Sequence, residues 1–171
     1  MKTRLLRPEE NWKSNLTMAV AFEGDYDLEK GEDARNRCFG TFLDDDETIC
    51  GVVNSREYLC RFDGGTYKLG GVGGVSTLPQ YRRGGVIRAC MTASLKDMYA
   101  NDFTFAFLYP FSMQYYRKFG FEAGAPEYRW SVPFTAMKPQ DVGGHVEQIF
   151  PGGDFTPLLT VYNTFYADHN L

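Results

Sequence analysis

Histidine is scarce in this chain, with only His145 and His169 among 171 residues, and no Gly-Lys pair occurs anywhere. The missing pair excludes a Walker loop, whose glycines and lysine together cradle nucleotide phosphates. The nearest approach to a dinucleotide fingerprint, Gly71-Val72-Gly73-Gly74-Val75-Ser76, lacks the third glycine and precedes a strand instead of opening a helix, which argues against a Rossmann site. Gly74-Val75-Ser76-Thr77-Leu78 is one glycine short of a nucleophile elbow, and with both histidines near the far end serine hydrolase chemistry has little support. Cysteine is sparse as well: Cys38, Cys50, Cys60 and Cys90 form no Cys-x-x-Cys pair and have no histidine at ligand spacing, so no metal site is expected. No apolar run approaches membrane-spanning length, and the charged start Met1-Lys2-Thr3-Arg4 does not read as a signal peptide. A cytoplasmic protein with free thiols and no membrane contact is therefore expected. The net charge of −4 argues against bulk nucleic-acid binding and suits a cationic, polyamine-like partner.

What is present is an ordered run from Val75 to Arg88, in which an apolar strand breaks at Pro79 and hands two arginines and two glycines to a helix start. Gly84 and Gly85 let the backbone approach a ligand, while the helix end presents unpaired N–H groups and the positive end of its dipole. Arg82 and Arg83 add permanent charge with planar forks that suit phosphate oxygens, so a pyrophosphate fits. A strand, a turn and an arginine-rich helix start also occur in proteins that bind nothing there, and the segment alone leaves both readings open. Ile87, Met91, Leu95 and Met98 recur at helical spacing through residues 85–100, giving an apolar stripe for a sheet.

Downstream, residues 103–109 read as a buried strand, followed by Pro110-Phe111-Ser112 and then Tyr116-Arg117-Lys118-Phe119-Gly120-Phe121. Here the chain resembles the GCN5-related N-acetyltransferase (GNAT) superfamily. Arg82-Arg83-Gly84-Gly85-Val86-Ile87 is similar to its Arg/Gln-x-x-Gly-x-Gly/Ala loop, and residues 116–121 are similar to its Tyr-x-x-x-Gly-Phe segment. The run from Leu78 to Arg88 and the strand-like stretch at residues 128–134 resemble the Eis-like branch, known for acetylating aminoglycosides and other amines. Ile87 departs from the superfamily consensus of Gly or Ala, and we read it as a mark of that branch.

The resemblance implies an α/β (α+β) fold of the GNAT type: a mixed, mostly antiparallel sheet flanked by helices, with a splayed strand pair holding an acyl-CoA. It implies acetyl-CoA as co-substrate, with its pyrophosphate on the loop made by Arg82, Arg83, Gly84, Gly85, Val86, Ile87 and Arg88. Ser112 is a further expected contact. The pantetheine arm would pair with backbone groups of Val75, Ser76 and Thr77 as another strand would. The glycines at 70, 71, 73 and 74 read either as a bulged strand entrance or as direct ligand contacts. Tyr116 matches the superfamily tyrosine that protonates the departing thiolate; a phenol, with an unperturbed pKa of about 10, can donate to a thiolate whose conjugate acid is near 8.5. The expected reaction moves an acetyl group to a primary amine of a small, aminoglycoside- or polyamine-like molecule. The alternative is an acyl-CoA-binding or regulatory module without turnover.

Eis-like enzymes are more than twice as long and take their base from a chain-terminal carboxylate in a distant C-terminal domain. The chain therefore reads as a fragment, or as a relative that has lost that portion, and the base stays unassigned. We expect an acetyltransferase domain at residues 1–138 and the opening of a second domain at 139–171, with a helix from Leu158 carrying Val161, Tyr162 and Phe165 on one face. A homo-oligomer would belong to a full-length protein. Expected elements are a strand at 3–6, a helix at 8–22 with Trp12, Leu16, Ala19 and Val20 inward, and a polar loop at 25–33. Strands follow at 37–43, 48–56 and 58–62. The acidic run Asp44-Asp45-Asp46-Glu47 is read as a hairpin turn, not a metal site. Phe103, Phe105, Phe107 and Phe111 are read as core and cleft wall and not as a base-stacking platform.

Overall fold

The computed structural model describes residues 1–24, 35–124, 128–138, 143–144 and 146–167, so the loop expected at 25–33 lies outside the described residues. They form two compact units, Met1–Glu122 and Ala123–Leu171. In the first unit a five-stranded sheet runs in the order β1 (Lys2–Leu5), β2 (Asn36–Phe42), β3 (Ile49–Phe62), β4 (Gly65–Thr77) and β5 (Phe105–Phe107). All neighbours are antiparallel except β4 and β5, which run parallel. Helices α1 (Asn11–Phe22), α2 (Val86–Ala100) and α3 (Met113–Arg117) complete it.

The strands expected at 48–56 and 58–62 are a single strand, β3, whose partner β4 starts at Gly65 and not near Gly74. Asp63 and Gly64 close the hairpin with positive φ of 47° and 76°, the backbone of the two-residue turn that Asp-Gly favours because its twist matches that of the strands. The acidic run does form a turn between β2 and β3, where the Asp45 carboxylate accepts from the amides of Glu47 and Thr48, each at 2.9 Å.

Alternation along the sheet places the two long helices on opposite faces. Val53 belongs to the core with Phe39, Val72, Cys90, Met91 and Met98, whereas its neighbour Asn54 donates to Ser14 Oγ of α1 at 3.3 Å. α2 buries Val86, Cys90, Met91, Ser94 and Met98, close to the expected stripe, and the bidentate pair of Arg37 and Asp97 ties it to β2. α1 departs from expectation. Its buried residues are Ser14 and Thr17, while Trp12 and Val20 are each 46% exposed. The reason is polar satisfaction: Thr17 Oγ1 donates to Lys13 O at 2.7 Å and Ser14 meets Asn54, so hydroxyls can occupy the inner face without an orphaned donor.

The strand expected at 103–109 is short, and Phe105 and Phe107 are 42% and 39% exposed instead of buried. They pack edge-on against Phe62, Tyr67 and Tyr58 across the sheet surface. In the second unit the strand-like stretch at 128–134 takes no strand conformation. Tyr128, Trp130, Val132 and Phe134 alternate as strand residues would but are all exposed, and Pro133 cannot donate to a ladder. Helix α4 (Thr156–Tyr166) forms with Leu158, Val161, Tyr162 and Phe165 exposed within that unit. Among the described residues no helix is long and apolar enough to cross a membrane.

Candidate active site

The pairing of β4 with β5 ends at Gly71 opposite Phe107, the last residue of β5, and β4 continues to Thr77 without that partner. Within β4 the register against β3 shifts: Asn54 pairs with Gly73 but Val52 pairs with Ser76, leaving Gly74 and Val75 opposite Val53. This is a bulge with glycine in the left-handed conformation, φ 56°, at its first position. Without it Val75 would point away from the core that Val72 enters; with it both pack in the same cluster.

Two clefts lie along β4 on either side of the bulge. One, of about 740 Å³, is walled by Val75, Ser76 and Thr77, by Arg82, Arg83, Gly85, Val86, Ile87 and Arg88, and by Tyr115, Lys118 and Phe119 from α3 and the turn after it. The other, of about 620 Å³, is walled by Asn11, Ser14 and Met18 of α1, Asn54 and Tyr58 of β3, Gly71 to Gly74, and residues 107–109. Gly74 belongs to one cleft and Val75 to the other, so the bulge lies between them.

The first cleft is electropositive by construction. Arg83 and Gly85 take positive φ of 66° and 79°, turning the chain sharply into α2, which has no side-chain cap among the described residues and no acidic residue in its first turn. Its first bond runs from the Ala89 amide to Gly85 O at 3.0 Å, which leaves the amides of Val86, Ile87 and Arg88 without intrahelical partners. With Arg82, Arg83 and Arg88 exposed around them, the helix end suits a negatively charged group.

Of the residues singled out from the sequence, Gly84 and Ser112 are outside the cleft lining. Ser112 caps α3, its Oγ accepting from the Tyr115 amide at 3.3 Å. Tyr116 is 4% exposed and packs edge-on against Phe111, Tyr115 and Phe121; it is in neither cleft lining, whereas Tyr115 is. Burial pushes both phenols up, opposed at Tyr115 by Arg88 and reinforced at Tyr116 by Tyr115. The sequence reading missed Tyr115 and Phe119, on α3 and in the turn after it, whose i, i+4 spacing is their signal, and the α1 and β3 walls of the second cleft, which meet only in the fold; Gly71, Gly73, Gly74 and Phe107 of that cleft are among the residues it singled out.

The sequence model of the acetyltransferase (GNAT) domain matches residues 9–124. No curated protein matches the chain. Among solved structures, a conserved protein of unknown function from Enterococcus faecalis, a probable N-acyltransferase, is 26% identical with a TM-score of 0.63, covering 70% of this chain and 31% of its own. Eis1 from Mycobacterium abscessus is 23% identical with a TM-score of 0.58 over the same shares. An aminoglycoside acetyltransferase from an uncultured soil metagenomic sample is 15% identical with a TM-score of 0.58, covering 77% of this chain and 98% of its own. The last two likenesses speak for the fold alone, and this chain spans less than a third of the length of the first two proteins. Because the matched span holds four of the five strands and every residue that lines either cleft, the chain belongs to the GNAT acetyltransferase family.

Proposed function

We propose that this chain transfers an acetyl group from acetyl-CoA to the primary amine of a small, aminoglycoside- or polyamine-like molecule. The observation that carries the reading is one cleft uniting an uncapped helix start, three arginines and a strand segment that lacks a β5 partner. That donor set fits a pyrophosphate at the α2 end and pantetheine amides along Val75, Ser76 and Thr77. The acetyl end then lies at the bulge, and the acceptor approaches from the second cleft. An unprotonated amine attacks the thioester carbonyl, so that a C–N bond forms and the C–S bond breaks; Tyr116 is the group we assign to protonate the thiolate, and the proton lost from the acylated nitrogen passes to solvent, which restores the phenol. No base is assigned. The four cysteines are free and buried, which supports a reducing, cytoplasmic setting.

The burial of Tyr116 favours the second reading, an acyl-CoA-binding module without turnover. Free thiol release with acetyl-CoA and a panel of aminoglycosides and polyamines separates the two. Amine-dependent release is expected; acetyl-CoA binding with no release across the panel overturns the catalytic reading.

A further inference from the structure

The bulge between the two clefts packs against the Asn54 carboxamide and Met18 Sδ. Asn54 Nδ2 lies 3.3 Å from Ser14 Oγ and 3.3 Å from Met18 Sδ of α1, and its residue pairs with Gly73 at the edge of the register shift. A Cβ placed on Gly74 would come 2.5 Å from Asn54 Nδ2 and 2.8 Å from Met18 Sδ, so the carboxamide sits directly over the bulged glycine. On the other side Ser76 Oγ donates to Gly74 O at 3.1 Å. Asn54 thus links α1, β3 and the bulge, while next to Gly73 the space is open, with nothing within 4 Å of where a Cβ would be.

We propose that Asn54 is a positioning residue that fixes the β4 backbone at Gly74 and Val75, and through it the place where acyl group and acceptor meet. A bulge re-aims the groups of its strand, and a misplacement of about 1 Å at a reacting centre can cost about 10²-fold in rate. The role in transfer rests on the proposed acetyltransferase activity; the hold on the bulge does not.

The test uses the whole chain with Asn54→Ala and Asn54→Asp, the second preserving side-chain size while removing the Nδ2 donor. Amide NMR spectra without ligand are expected to show Gly73, Val75 and Ser76 displaced in both variants while β1 and β2 stay in place. Turnover is expected to fall at least about tenfold in kcat, with KM for acetyl-CoA and for the amine within twofold. Unmoved bulge amides overturn the proposal. A raised amine KM with unchanged kcat also overturns it, making Asn54 an acceptor contact. If the unsubstituted protein releases no thiol with any amine of the panel, acetyl transfer is what fails, and the amide spectra still decide whether Asn54 holds the bulge.

Discussion

Tyr115 and Tyr116 are chain neighbours that both pack among aromatic rings, but only Tyr115 lines a cleft while Tyr116 is buried. If Tyr116 is the acid, Tyr116→Phe lowers kcat by about 10²-fold with acetyl-CoA affinity kept. Tyr115→Phe leaves kcat within about twofold. Steady-state kinetics with separate binding isotherms check this, and equal activity of Tyr116→Phe and the parent removes the phenol from the chemistry. Glu10, 6% exposed, anchors another cluster. It accepts from Arg4 Nη1 and Nη2 at 2.7 and 2.9 Å and from the Arg7 amide at 2.9 Å. Hydrogen bonding from Arg4, then from the Arg7 amide, holds its carboxyl at about 2 against the opposing cost of burial. A depressed carboxyl pKa stabilises the fold above the unfolded value, about 4.3, and that contribution fades as pH falls toward 2. Glu10→Gln is therefore expected to cost about 3 kcal/mol at pH 7, with the difference shrinking below about pH 4; urea unfolding at both pH values measures it. A cost independent of pH would show that the ion pair is not its source.

At the scale of elements, the start of α2 is set by how closely β3 passes beneath it. A Cβ on Gly51 would lie 2.6 Å from Ser76 O and 2.7 Å from Val86 Cγ1, so a methyl there pushes both on β4 and on the first residue of the helix. Gly51→Ala is expected to destabilise by about 1–3 kcal/mol and to weaken acetyl-CoA binding, because Val86 and the amides beside it move with it. Thermal unfolding and calorimetry measure both; an unchanged affinity would show that the helix start does not take part in binding. The sequence made α2 legible because Met91 and Met98 recur on one face beyond a glycine pair. β3 was harder: the sequence reading ended one strand at Arg56 and began another at Tyr58, although the Asp63-Gly64 turn signal lay further on. α1 was mis-faced because buried hydroxyls carry no hydrophobic signal, and although the glycines at 70, 71, 73 and 74 read as a bulged strand entrance, the place of the bulge at Gly74 became visible only once β3 supplied its register.

For the molecule as a whole, the resemblance in residues 82–87 and 116–121 pointed to the GNAT fold that the structure then showed. The long polar contacts that build the second cleft were not legible, because Asn54 meets Ser14 across 40 positions of sequence. The most direct measurement of the central claim is calorimetric titration of the unsubstituted protein and of the Arg82→Ala, Arg83→Ala double variant with acetyl-CoA and with acetyl-pantetheine, which lacks the pyrophosphate. The expected result is binding of acetyl-CoA that weakens by at least tenfold in the double variant, since a charge-assisted contact contributes about 1.5–3 kcal/mol, with acetyl-pantetheine affinity unchanged. Absence of acetyl-CoA binding at millimolar concentration, or an equal loss for both ligands, would contradict the assignment of this cleft to the cofactor's pyrophosphate.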